Sequence, residues 1–565
     1  MNRVLFDQFQ RTEKFKKVIE NLNKNRSQLL QGINEEGLAY FACNLADIFK
    51  KVLILTHSEG KSKKYEDILK AYTEPERFQS KEIILYNVDA LSKDVDYKRV
   101  KTLDKIVNSK NTIITSSINS FMTRVMPKDR FKENIIELHY GKNYDLNELR
   151  SNLVRLKYER VDAIEGVGQF SVRGGIIDIF SPSETNPYRI EFFDDEVDSI
   201  RLIDLKTQRS VKNVKSVRII PSSELLFEKE EIKTVLAEVD KDYQEGINKL
   251  DSSEKETEKR LKNLYKSYRD RLESGMVIEN AHLLVPFIKE SFTSVLDYFD
   301  SSFLIILDEP ERIIEELKVL NESFQLKFRE LFEKGQVFSK QSKMFLNEDE
   351  LLLKLSKRPF ISVNGKNKKI IADESIYLPF KEAPSYYGKI EDLVKDLNRL
   401  KYKGYKINIV LKDYASCEKL HNLLNDYECI TSLSKKVTTT ESGQVVILPG
   451  ELTKGFEYYD NKILVLTENE VFGTSKHKSR KKKKKHKGSV INVFTDLKVG
   501  DYVVHEHHGV GQYIGIEKIE VQNIQKDYLC IKYRAEDKLY VPVDQMSLIQ
   551  KYIGSDSEKP KLNKM

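Results

Sequence analysis

The chain has 565 residues, 40% hydrophobic and 32% charged, with a net charge of +7; this exceeds one core, sets an expectation of roughly three to five domains and describes a soluble protein with a heavily charged surface. No apolar stretch approaches the roughly 20 residues that cross a bilayer, and Met1–Gln8 lacks a signal-peptide core, so no membrane partner and a cytoplasmic location are expected. The four cysteines, Cys43, Cys417, Cys429 and Cys530, form no CxxC pair, which argues against a disulfide framework or a zinc site.

Residues 1–120 alternate helical and strand patterns. Val52–Thr56, Glu82–Tyr86 and Asn111–Thr115 are short, partly β-branched runs, and the segments between them have helical length and period, as in an α/β domain with a parallel sheet. Domains of this shape bind phosphates in a glycine-rich loop after a strand. Leu29–Ala39 lacks the Lys-Ser/Thr pair, and Gly60-Lys61-Ser62 has Leu55 where the loop needs its first glycine. Glu35, Glu36 and Glu59 also set carboxylates where a phosphate belongs. The expected domain is P-loop-like but degenerate and non-hydrolysing.

Residues 121–222 read as a meander of short strands. Gly168–Phe180, Tyr188–Phe193 and Val197–Asp204 are apolar runs broken by Gly174-Gly175, a Ser/Pro/Asn loop and Asp194-Asp195-Glu196. Alternation places Tyr188, Ile190 and Phe192 on one face and Arg189, Glu191 and Phe193 on the other. It likewise opposes Phe170 and Val172 to Gln169, Ser171 and Arg173. Outward arginines beside an outward aromatic are the material of protein-binding surfaces. Periodicity does not show which face is wet, so a Phe193 covered by a neighbouring loop, with solvated arginines, fits the same pattern.

Residues 223–344 begin with a highly charged stretch, Glu228 to about Glu273, expected as a long exposed helix or helix pair. Later, Phe303–Leu307 forms an apolar strand ending in Asp308-Glu309, the acidic pair that in a motor organises magnesium and water. Residues 345–470 suggest a middle α/β domain, with a helix at Ile390–Leu400 and strands at Lys406–Leu411, Val445–Leu448 and Lys462–Thr467. The linker 471–491 holds nine Lys/Arg between Lys476 and Lys487, more than the whole net charge, so the remainder of the chain is slightly acidic. For Arg480, Lys481, Lys482, Lys483, Lys484 and Lys485, phosphate tracking on a nucleic acid and a plain basic tether both fit. Residues 492–555 pack about five short strands into roughly 60 residues, as a small SH3- or Tudor-like barrel does. Residues 556–565 form a tail. His505, His507 and His508 have no complementary cluster, so no metal is expected.

Two motif sets carry a resemblance. Gln169–Phe180, Tyr188–Phe193 and Asp194-Asp195-Glu196 resemble the UvrA-binding domain shared by the excinuclease subunit UvrB and the bacterial transcription-repair coupling factor family (Mfd). Val504–Gly511 through Leu539–Val543 is similar to the RNA polymerase-interacting domain of that family, found also in CarD-like regulators. Only the coupling factors carry both in this order. The resemblance implies that Arg173, Arg189 and Phe193 contact UvrA, that Ile519 lies on the barrel edge contacting the RNA polymerase β subunit, and that DNA binding is weak without the motor. In the family, an ATP-hydrolysing, magnesium-dependent DNA translocase follows; this chain stops at Met565, where that motor is expected to begin. No catalytic site and no cofactor are therefore expected here, and a fragment, a truncated product or half of a split protein all fit. A UvrB-like ATP-dependent subunit and a CarD-like polymerase regulator are the alternatives.

Overall fold

Val52–Thr56, Thr112–Ser117 and Phe303–Asp308 are buried along their lengths, as parallel strands covered on both faces must be. The computed structural model describes all residues except 1–8, 83–84, 86–92, 206, 252–253, 275–279, 356, 366–371, 435–439, 474–487, 491–497, 506–508, 522–523, 535–536, 543–548 and 553–565. The first sheet has seven parallel strands, in the order Glu374–Tyr377, Gln28–Gln31, Phe360–Val363, Phe303–Asp308, Lys51–Thr56, Thr112–Ser117 and Glu76–Phe78. The strand expected at Glu82–Tyr86 falls largely outside the described residues, and Glu76–Phe78 forms the sheet edge. Phe360–Val363 and Glu374–Tyr377, read from sequence as part of the middle domain, instead flank Gln28–Gln31 on its two sides. Phe360-Ile361-Ser362-Val363 is wholly buried, as a parallel strand covered on both faces is, and it lies between Gln28–Gln31 and Phe303–Asp308.

The strand meander is inserted between Thr112–Ser117 and Phe303–Asp308. It forms a six-stranded sheet ordered Ser210–Asn213, Glu196–Ile203, Tyr188–Phe193, Ile176–Ile179, Gln169–Arg173 and Glu159–Arg160. All neighbours are antiparallel except the last pair. Tyr188 and Ile190 face the core, and a register shift at Glu191/Phe192 leaves Phe192 half-buried.

A buried ionic knot ties this insert to the first sheet. Arg99, fully buried, donates Nε–H to Glu224 at 2.7 Å, and Glu224 also meets His282 at 3.0 Å. The remaining Arg99 donors reach the carbonyls of Gln79 and Ser120 and the Thr123 hydroxyl. A charge this deep is tolerated because every edge of the fork has an acceptor.

The charged stretch is a helix pair, Lys229–Ile247 and Lys255–Glu273, joined by the stacked rings of Tyr243 and Tyr265 at 4.1 Å. The second α/β sheet is ordered Phe380–Glu382, Phe456–Tyr458, Ile463–Thr467, Lys406–Leu411, Val445–Pro449 and Ser432–Leu433. It shares a core with the first: Tyr40, on the helix Glu35–Phe49 that follows Gln28–Gln31, meets Phe456 at 5.0 Å. The C-terminal sheet is antiparallel, with six strands where about five were expected: Gly488–Val490, Ile549–Tyr552, Tyr502–His505, Gly509–Val521, Ile524–Lys532 and Lys538–Pro542. Its core is small, centred on Val503, Tyr513, Leu529, Ile531 and Tyr533. No described helix is long and apolar enough to cross a membrane.

Candidate protein-docking surface

The outward face of the inserted sheet is built from alternation and one tight turn. Gly174 adopts φ +59, and a Cβ on Gly175 would lie 2.8 Å from the Phe192 carbonyl oxygen. Glycine is required for that approach, and it lets Phe192 donate its N–H to the Gly175 carbonyl at 2.8 Å. The Gly-Gly turn thereby holds the end of the strand Tyr188–Phe193, whose alternation sets Phe193 on the outward face with Arg189 and Glu191. Phe193 is 79% exposed, which resolves the choice that periodicity left open.

The arginines are outward but not merely solvated. Arg189 donates Nε–H and Nη2–H to the two carboxylate oxygens of Asp178 at 2.7 and 2.8 Å, and this hydrogen bonding raises its pKa above the ordinary arginine value. Arg173 donates Nη2–H to the Asp162 carbonyl at 2.9 Å. Both arginines, with Ala163, Ile164, Leu205 and Gln208, line a cleft of about 600 Å³. Phe193 is absent from that lining and sits further along the same face. Sequence reasoning missed Asp178 and Asp162. Asp178 had a signal, as the one polar residue inside the run Ile176-Ile177-Asp178-Ile179.

The second candidate surrounds Gly60-Lys61-Ser62, the stretch compared above with a phosphate loop. Ser58 caps the helix Glu59–Leu69 by accepting from Lys61 N at 3.4 Å. The Lys61 ammonium turns back to Asp308 at 2.7 Å and Glu309 at 2.5 Å, and Tyr65 donates to Asp308 at 2.8 Å. Burial disfavours a charged Lys61, but the two carboxylates outweigh it and raise its pKa above the ordinary lysine value. Glu59 accepts from Arg77 at 2.7 Å, from Ser80 N at 3.1 Å, from Ser120 at 3.0 Å and from Ser117. The lysine and acidic pair that sequence singled out separately are thus one closed cluster, with a glutamate at the helix N-terminus where a nucleotide would place an anion.

Ile519 lies in the strand Gly509–Val521, opposite Lys526. That strand is interior in the sheet order, not the edge expected from the resemblance. Its neighbour Tyr502–His505 reaches only Gly509–Gln512, so the stretch around Ile519 pairs on one side among the described residues. Its side chain lies outside the described set, as do Arg480, Lys481, Lys482, Lys483, Lys484 and Lys485. Among the described residues no cluster of His, Cys, Asp and Glu could hold a metal.

Comparison with known proteins places these features. The UvrB interaction domain family matches residues 136–225, and the CarD-like/TRCF RID domain family matches residues 497–553. The transcription-repair-coupling factor of Staphylococcus haemolyticus is 31% identical over 100% of this chain and 48% of its own length. That of Bacillus subtilis is 30% identical over 98% of this chain and 47% of its own length. The chain therefore spans about half the length of the curated relatives it matches. A solved structure of Xpd4 from S. tokodaii overlays with a TM-score of 0.19 at 10% identity, covering 77% of this chain and 79% of that one, a likeness too slight to carry an argument.

Proposed function

We propose that this chain, which aligns throughout with half of a transcription-repair coupling factor, is a tethering adaptor that brings UvrA to RNA polymerase at damaged DNA. The observation that carries the reading is the exposed Phe193 on the same sheet face as Arg173 and Arg189, in a chain that also matches a polymerase-interacting domain. Two docking surfaces on one polypeptide raise the local concentration of one partner around the other, without chemistry of their own.

The finer assignments belong to the same proposal. Residues 497–553 act as a small SH3- or Tudor-like module that meets the polymerase β subunit, with Ile519 on its contacting stretch; backbone that pairs on one side only among the described residues suits strand addition there. The basic linker 480–485 adds salt-dependent attraction to DNA phosphates. The first α/β domain keeps a P-loop-like shape without its use. With Lys61 committed to Asp308 and Glu309, and Glu59 at the helix start, its residues do not fit a nucleotide phosphate chain, so ATP and magnesium serve the relatives' motor and not this chain. The work is cytoplasmic.

The test is capture of purified UvrA by the full chain and by Arg189→Ala/Phe193→Ala. Loss of capture at unchanged melting temperature supports the reading; intact capture overturns it. A UvrB-like enzyme would instead show ATP hydrolysis abolished by Lys61→Ala. A CarD-like regulator would keep its cellular function without residues 1–345.

A further inference from the structure

Arg189 and Arg201 are register partners on adjacent antiparallel strands of the docking face. Like charges directly opposite one another repel and destabilise a pair of strands. Each guanidinium here has turned to its own carboxylate. Arg201 pairs with Glu191, which also accepts from the Ser199 hydroxyl at 2.8 Å. Arg189 turns the other way, across to its second register partner, Asp178. Asp178 is 2% exposed and meets Arg189 through both carboxylate oxygens.

This arrangement does more than satisfy a charge. A two-pronged carboxylate fixes the plane and direction of the guanidinium, which a single contact does not. The prongs engage Nε and Nη2, so the Nη1 edge is left to an acceptor on a partner. The chosen direction carries Arg189 away from Arg201 and toward the cleft it lines with Arg173 and Ile164.

We propose that Asp178 is a positioning residue for partner docking: it presents the Arg189 fork, already oriented, to a hydrogen-bond acceptor on the bound protein. The proposal rests on the docking role argued above and adds a residue that does not itself touch the partner. A side chain held in its bound geometry avoids part of the ordering cost of association. Neutralising Asp178 frees Arg189 to compete with Arg201 for Glu191, so the loss is orientation, not charge.

The experiment is a binding cycle with purified UvrA, using the full chain, D178N, R189Q, F193A and the doubles D178N/R189Q and D178N/F193A. D178N keeps shape and is expected to weaken binding about 3- to 10-fold. In the R189Q background D178N should add nothing, whereas with F193A the two losses should multiply, because only contacting residues couple. A structural role would not make that distinction. Unchanged affinity in D178N, or losses that multiply with R189Q, would overturn the proposal. If D178N fails to fold by circular dichroism, R189K carries the test, since it keeps the charge without the fork. Weakened binding by R189K then supports positioning, and wild-type affinity contradicts it. Full affinity in both R189Q and F193A would instead sink the docking role itself.

Discussion

Lys61 Nζ lies 2.7 Å from Asp308 Oδ2 and 2.5 Å from Glu309 Oε2, so the lysine of a would-be phosphate loop is bound up with the acidic pair of a would-be metal site. Asp308 is 1% exposed. In a working nucleotide site these charges face a ligand; here they face one another, and the cluster has become part of what holds the sheet to its helix.

Lys61→Ala should therefore act on stability and not on nucleotide affinity. Removing one partner of a buried pair costs about 3 kcal/mol. Thermal unfolding should shift down, while a fluorescent ATP analogue should bind neither the original chain nor the variant. Nucleotide binding that Lys61→Ala abolishes would refute this.

The Arg99–Glu224–His282 knot makes the attachment of the docking sheet sensitive to acid. Burial lowers the His282 pKa below its ordinary 6.5. Between those two values the unfolded chain binds a proton that the folded chain does not, so stability falls as pH falls. Burial would raise the Glu224 pKa, yet Arg99 and His282 hold it well below 4.5, adding a second loss below that pH. Urea midpoints should drop from about pH 7.5 to about pH 5.5, and His282→Gln should flatten that drop. A wild-type midpoint unchanged across this range would contradict it.

Gly175→Ala should disturb the docking face from behind. Its added carbon meets the Phe192 carbonyl oxygen at 2.8 Å, and relieving such a clash costs about 1–3 kcal/mol. Both the melting temperature and UvrA capture should fall, because the turn holds the end of the strand that carries Phe193.

Phe193→Ala should separate the two effects. At 79% exposure the ring contributes little to folding, and the unfolding free energy should change by no more than about 0.5 kcal/mol. As an aromatic anchor its loss should weaken UvrA binding about tenfold or more. Isothermal titration beside a melting curve reads both.

The outward placement of Arg189 and Phe193 was legible in the sequence, because alternation of Tyr188 to Phe193 reports facing without any knowledge of the fold. The pairing of Asp178 with Arg189 was not, since it depends on their register in adjacent strands, and strand period says nothing about which residues stand opposite. The same limit applies to Phe360–Val363 and Glu374–Tyr377. Both pair with Gln28–Gln31, more than 300 residues earlier, and Phe360–Val363 pairs also with Phe303–Asp308, whereas local pattern places them beside their later chain neighbours. The closure of Lys61 onto Asp308 joins two motifs that sequence could find singly but not bring together. The surroundings of Ile519 show the same limit: the Gly509–Val521 strand is interior in the sheet order, yet among the described residues its stretch around Ile519 pairs on one side only.

The most direct test of the adaptor role is a three-component capture. RNA polymerase is immobilised, and retention of UvrA is measured with the full chain, with Arg189→Ala/Phe193→Ala, and with no added chain. The account predicts that UvrA is retained only with the original chain, and that the double variant still binds polymerase but no longer carries UvrA. Equal retention of UvrA by the double variant, or none by the original chain while it occupies polymerase, would contradict it.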